Sequence, residues 1–344
     1  MRERIKWVDT ARFLGIFAIY IGHLGEDSGN TYRFVWYYHV ALFFLLSGCM
    51  STYDSEKNII QYIKKKAKRL LLPLWGFSIF SIIIYTIQYN IGTSNVKELL
   101  WITLRGSIRN TCVIPALWFL SCLFCMDIIF KLIKQLEYKW MIFGASVILF
   151  IIAEKLIVPR PIVEPHWLYN LDSAFYYMIY YATGYIAYPY LIKLFELNTK
   201  GKKLFFSFSG VACFVYSLYL FWGKDILMMV DTIPEIAIFS SFLKAIILIY
   251  LNLVVAKLIE NIYLLNEIGK ETLFLCGNEF VVKTLALVFC ELIGLKINLQ
   301  SPLHMYIYTF ILLWIAVKKI IPMEKKIISL TMESLSIQDN NMIV

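Results

Sequence analysis

Apolar segments long enough to cross a lipid bilayer recur along the whole of this 344-residue chain, with only short polar connections between them. A spanning helix needs about 20 mostly apolar residues, because in hydrocarbon the backbone must satisfy its own hydrogen bonds. The segments fall at 8–25, 34–51, 70–91, 112–133, 139–158, 174–195, 204–222, 236–258, 272–294 and 303–321. Composition agrees, since only 17% of the residues are charged, against about 25% in a soluble domain. The fold class that follows is all-α: a polytopic membrane protein of about ten transmembrane helices. No repeat or low-complexity tract divides the chain. Residues 1–322 therefore read as one transmembrane domain and 323–344 as a short tail. The first apolar run lacks a small-residue cleavage site and leads into further spans, so it reads as a membrane segment and not as a secretory signal.

A net charge of +9 would suit nucleic acid, but the distribution of the basic residues excludes that reading. Of the 33 Lys and Arg residues, 22 fall in connections on the N-terminal side of the predicted spans and eight on the opposite side. That asymmetry writes topology, and it predicts both termini on the cytoplasmic side. Cys122-Leu-Phe-Cys125 has the spacing of a redox or metal pair. Its apolar helical setting makes ordinary packing the better reading, and no metal is expected.

Four places along the chain hold polar groups that need a reason in a membrane protein. Arg12 and His23 both lie in the first span, and eleven helical steps of about 100° bring them back to one face, roughly 16 Å apart along the axis. Arg12 alone would suit snorkelling to lipid phosphates. His39 opens the second span from the side that His23 approaches, which fits either a paired site or an interfacial histidine bonded to backbone. Lys64, Lys65, Lys66, Lys68 and Arg69 cluster in the connection to the third span. They fit anionic lipid headgroups and a phosphate-bearing ligand equally well. In the ninth span Glu279 and Lys283 stand at i,i+4 spacing, where they can neutralise each other.

Taken in order, these pieces resemble the acyltransferase-3 family of integral-membrane acyltransferases, which modify bacterial surface glycans and lipids. Arg12 and His23 match its Arg, ten residues, then His. His39-Val-Ala-Leu-Phe-Phe-Leu-Leu-Ser47-Gly48 is similar to its His-Met-Pro-Leu-Phe-Phe-Phe-Leu-Ser-Gly, and Lys66-Ala-Lys-Arg69-Leu-Leu-Leu-Pro73 resembles its Arg-x-x-Arg-Leu-Leu-x-Pro. Trp118-Phe119-Leu120 and Gly269-Lys-Glu-Thr-Leu273 fit as well. Two positions depart: Lys66 stands in place of the first Arg, losing bidentate phosphate geometry, and Glu279 stands where many members have His.

The resemblance implies transfer of an acyl group, most often acetyl, from cytoplasmic acetyl-CoA to a sugar hydroxyl of a polysaccharide or lipid-linked glycan, at the outer face of a bacterial cytoplasmic membrane. On that reading Arg12, Lys66 and Arg69 hold the donor phosphates, and His23 and His39 are catalytic. Glu26 or Asp27 orients the His23 ring if the helix continues past it. Trp118, Asp172 and Glu279 are the candidates for contacting the acceptor. A competing class, a glycan or lipid-linked sugar transporter, would use the same intramembrane charges to line a path without turnover. A sensor that binds acyl-CoA or lipid is a third.

Overall fold

The computed structural model describes residues 4–225, 227, 233–295 and 297–326, and among these every regular element is a helix. In chain order they are α1 (Lys6–Gly22), α2 (Asn30–Trp36), α3 (His39–Ser51), α4 (Ile59–Tyr89), α5 (Thr93–Leu104), α6 (Trp118–Ile133) and α7 (Lys139–Lys155). They continue with α8 (Leu171–Phe195), α9 (Lys200–Phe221), α10 (Pro234–Leu258), α11 (Tyr263–Lys270), α12 (Thr272–Leu292) and α13 (Pro302–Ile315). A π-turn over Ala316–Ile320 carries α13 on to Lys326. The tail expected over 323–344 lies outside the described residues from position 327 onwards.

Seven helical stretches among the described residues are long and apolar enough to cross a membrane, so the protein is an all-α polytopic membrane protein. Each of the other three segments read as spans is also helical. α1 and α7 have 17 residues each, while α8 has 25 but is rich in tyrosine. The reason for that composition is position. Tyr176, Tyr177, Tyr180 and Tyr181 are all buried within protein, so this helix has no need of a lipid-compatible surface.

Small residues set the closest helix contact. α3 and α8 pack so tightly that a Cβ on Gly48 would overlap the Tyr181 carbonyl, and one on Gly184 would overlap that of Leu45. The Cys49 thiol donates to the Gly184 carbonyl at 3.3 Å across the same seam. α1 is the second organising element, touching α3, α10, α11, α12 and α13. Gly269 lets α11 come against the Asp9 carbonyl of α1, and Thr10 donates to Asn266 of α11 at 2.9 Å.

Several boundaries differ from the sequence expectation for identifiable reasons. α4 begins eleven residues early, because the Asn58 side chain accepts from the amides of Ile60 and Gln61 and caps the helix there. The Lys64–Arg69 cluster is therefore helical and not a connection. Its members point different ways, with Lys64, Lys65 and Lys68 exposed and Lys66 buried. α1 stops at Gly22, with His23 as its C-cap, before Gly25 turns the chain at φ 83°. The second expected span is broken at Tyr37–Tyr38 into α2 and α3.

Candidate active site

One cavity of about 520 Å³ runs between α1, α3, α4, α6 and α12. On α1 it is lined by Arg12, Ile19 and His23, at spacings of seven and four that fall on one helical face. Arg12 and His23 thus share a single cavity, about 16 Å apart along the helix. At the Arg12 end the walls also carry Arg4, Arg69, Lys270 and Lys325. At the His23 end they carry His39, with Phe43, Trp118 and Phe119 between.

Arg12 is held by Asp9, one turn back on α1. Its Nη1 lies 3.1 Å from Asp9 Oδ1, while Arg4 Nε lies 3.3 Å from Oδ2 of the same carboxylate. Asp9 is itself buried, so one carboxylate orients two guanidinium groups towards the cavity. The sequence signal for this contact is the i,i+3 spacing of Asp9 and Arg12.

At the other end the His23 ring faces Glu279 of α12. Nδ1 lies 2.8 Å from both carboxylate oxygens. Glu279 also accepts from Lys283 Nζ at 2.6 Å, and that ammonium lies over the Tyr20 ring at 5.4 Å. A carboxylate held by an ammonium can only accept, so His23 donates to it through Nδ1, which leaves Nε2 as the ring nitrogen free to exchange a proton. His39 reaches the same tautomer by another route, with Nδ1 donating to the Val35 carbonyl at 2.7 Å. The Trp36 ring stands between the two histidines, its centroid 6.4 Å from that of His23 and 4.9 Å from that of His39. Two imidazoles, each with Nδ1 engaged as a donor, therefore line one cavity.

The structure rearranges several of the roles expected from sequence. Arg12, His23, His39, Arg69 and Trp118 all line the cavity. Lys66 does not. Its buried ammonium is paired with Asp54 and Asp127, each at 2.9 Å, because a cation within the helix bundle requires carboxylates around it. Asp172 is fully buried and occupied by backbone: it accepts from the amides of His166 at 2.8 Å, Trp167 at 3.2 Å and Ser173 at 2.7 Å, fixing the start of α8. Glu26 is exposed in a 3₁₀ turn beyond the end of α1, and the carboxylate on His23 is Glu279 instead. The Asp27 side chain lies outside the described residues. Glu279, expected as an acceptor contact or a partner of Lys283, also bonds His23, a pairing that sequence spacing does not signal because 256 positions separate the two. Among the described residues no cluster of three His, Cys, Asp or Glu side chains is arranged to hold a metal, and Cys122 and Cys125 are free thiols.

A cavity with guanidinium groups at one end and a carboxylate-held imidazole at the other suits group transfer between an anionic donor and a hydroxyl acceptor. No curated protein and no solved structure matches the chain significantly. Residues 5–318, which include Arg12, His23, His39, Arg69 and Glu279, match the family model described as an acyltransferase domain, and the chain is therefore a membrane-embedded member of the acyltransferase-3 family.

Proposed function

We propose that this acyltransferase moves an acetyl group from cytoplasmic acetyl-CoA to a sugar hydroxyl of a polysaccharide or lipid-linked glycan at the outer face of a bacterial cytoplasmic membrane. The observation that carries this reading is the single cavity joining Arg12 and Arg69 to His23, whose ring is held by Glu279. The charge asymmetry of the connections supports a cytoplasmic basic end, with both termini on that side of the membrane.

The donor suits the residues present. Five cations, Arg4, Arg12, Arg69, Lys270 and Lys325, line the basic end, and among the described residues Asp9 and Glu271 are the carboxylates paired with members of that group. The excess positive charge fits the phosphates of a coenzyme A thioester. The phosphopantetheine arm is long and extended, and the roughly 16 Å between Arg12 and His23 matches the reach from phosphate to thioester. Arg12 and Arg69 bind the phosphates, and the thioester carbon lies beside His23.

His23 Nε2 then takes the proton of the acceptor hydroxyl as its oxygen attacks the thioester carbon. Glu279 stabilises the imidazolium that forms. The new C–O ester bond replaces the C–S bond, and the proton passes from His23 to the departing thiolate. His39, in the same neutral tautomer, accepts a hydrogen bond from a neighbouring hydroxyl of the acceptor and so orients it. Trp118 gives the sugar an aromatic wall, and the Arg109 guanidinium lies over its ring at 4.9 Å.

The test is transfer from acetyl-CoA labelled in the acetyl group, with protein reconstituted in lipid and glycan supplied. The expected result is label on the glycan that mild base releases as acetate. Label that remains on coenzyme A, with glycan crossing the bilayer unmodified, would overturn the proposal in favour of transport.

A further inference from the structure

The family match ends at residue 318, yet the helix continues past the π-turn and brings Lys325 into the wall of the cavity. Two contacts fix this last turn. Asn278 of α12 donates to Glu324 at 2.6 Å, and Lys325 Nζ lies 2.7 and 2.8 Å from the two oxygens of Glu271. The Lys325 ammonium also stands over the Phe274 ring at 4.9 Å.

The cations of the basic end form two tiers. Arg12 is the deeper, with its side chain 26% exposed, whereas Lys325 is 46% and Arg4 58% exposed; Arg69 is exposed as well and reaches the cavity from α4. Arg4, like Lys325, stands outside the matched region. Lys270 completes this outer group, at the junction of α11 and α12. A diphosphate held at Arg12 and Arg69 leaves the outer tier facing the nucleotide end of the same molecule.

We infer that Lys325, with Arg4 and Lys270, forms a separate subsite for a phosphate monoester at the nucleotide end of the acyl donor, and that it makes the enzyme selective for the 3′-phosphorylated form of coenzyme A. This rests on the donor reading above. Glu271 is the resting counter-ion of Lys325. An exposed ion pair of this kind is weakly held, and a monoester of charge about −2 competes for the ammonium. Lys325 therefore changes partner when donor binds, from Glu271 to phosphate.

Binding of coenzyme A and of 3′-dephospho-coenzyme A to the full chain in lipid nanodiscs separates the possibilities. Wild-type protein should bind coenzyme A at least about fivefold more tightly than the dephospho form. Lys325→Ala should lose most of that ratio by weakening coenzyme A alone, and Lys325→Arg should restore it. Equal binding of the two nucleotides by wild type, or a Lys325→Ala protein that weakens both alike, would overturn the subsite and leave the donor reading intact. Failure of wild type to bind either nucleotide would overturn both.

Discussion

The Nδ1 atom of His23 lies 2.8 Å from the carboxylate of Glu279, although α1 and α12 are separated by most of the chain. Glu279 in turn is held by Lys283, which donates onward to the Tyr20 carbonyl of α1 at 3.4 Å. This loop of contacts sets both the position and the tautomer of the imidazole. Glu279→Gln keeps the shape of the side chain but removes its charge and lets Nδ1 lose its proton. Turnover should fall about 10²-fold or more, with the apparent affinity for acyl donor unchanged. Steady-state kinetics over a range of donor concentrations measures both quantities.

Arg12 and Arg69 act at the other end of the cavity, so their loss should separate from that of Glu279. Arg12→Gln and Arg69→Gln should each raise the KM for acetyl-CoA about tenfold, the order expected of one lost charge-assisted contact, and leave kcat within a few-fold. In Arg12→Gln the buried Asp9 keeps its contact with Arg4, so folding is retained. Kinetics on purified, monodisperse protein gives the split.

Lys66 is a structural residue here, and its substitution should behave differently from that of Arg69, only three positions away. Its side chain is 10% exposed and that of Asp127 5%, with the Tyr181 hydroxyl donating to Asp127 at 2.6 Å. Lys66→Met leaves two carboxylates without their cation, at a cost of about 3–5 kcal/mol. The expected outcome is a lower melting temperature and a lower yield of folded protein, with KM for the donor unchanged in the fraction that folds.

The glycine seam between α3 and α8 gives a prediction about the fold alone. Gly48→Ala and Gly184→Ala each drive a Cβ into a backbone carbonyl of the facing helix, and overpacking of this kind costs about 1–3 kcal/mol or more. Gly76→Ala in α4 is the control: nothing lies within 4 Å of its Cβ position, and alanine favours the helix by about 0.5–1 kcal/mol. Thermal unfolding followed in detergent should lower the transition for the first two variants and leave the third equal or higher.

The helical membrane fold was legible because every expected apolar segment is helical, the second of them broken in two, and bilayer thickness fixes how long such segments must be. The placement of Arg12 and His23 in one cavity followed from helical geometry within a single element. Pairings between elements were not legible. His23 meets Glu279, and Lys66 meets Asp54 and Asp127, only through helix packing, which sequence spacing does not encode. The expectation that Glu26 or Asp27 orients His23 depends on the first helix continuing past it, and that helix ends at Gly22. Asn58, by contrast, was a readable cap signal, and it would have moved the start of α4 to its observed position.

The central claim is that His23 carries the proton transfer at the end of a cavity that already binds the donor. Its direct test is His23→Asn, with acetyl transfer and coenzyme A binding measured on the same folded preparation. The account predicts that transfer falls to the uncatalysed background while coenzyme A binds as it does to wild type. Substantial residual transfer by folded His23→Asn protein would contradict it.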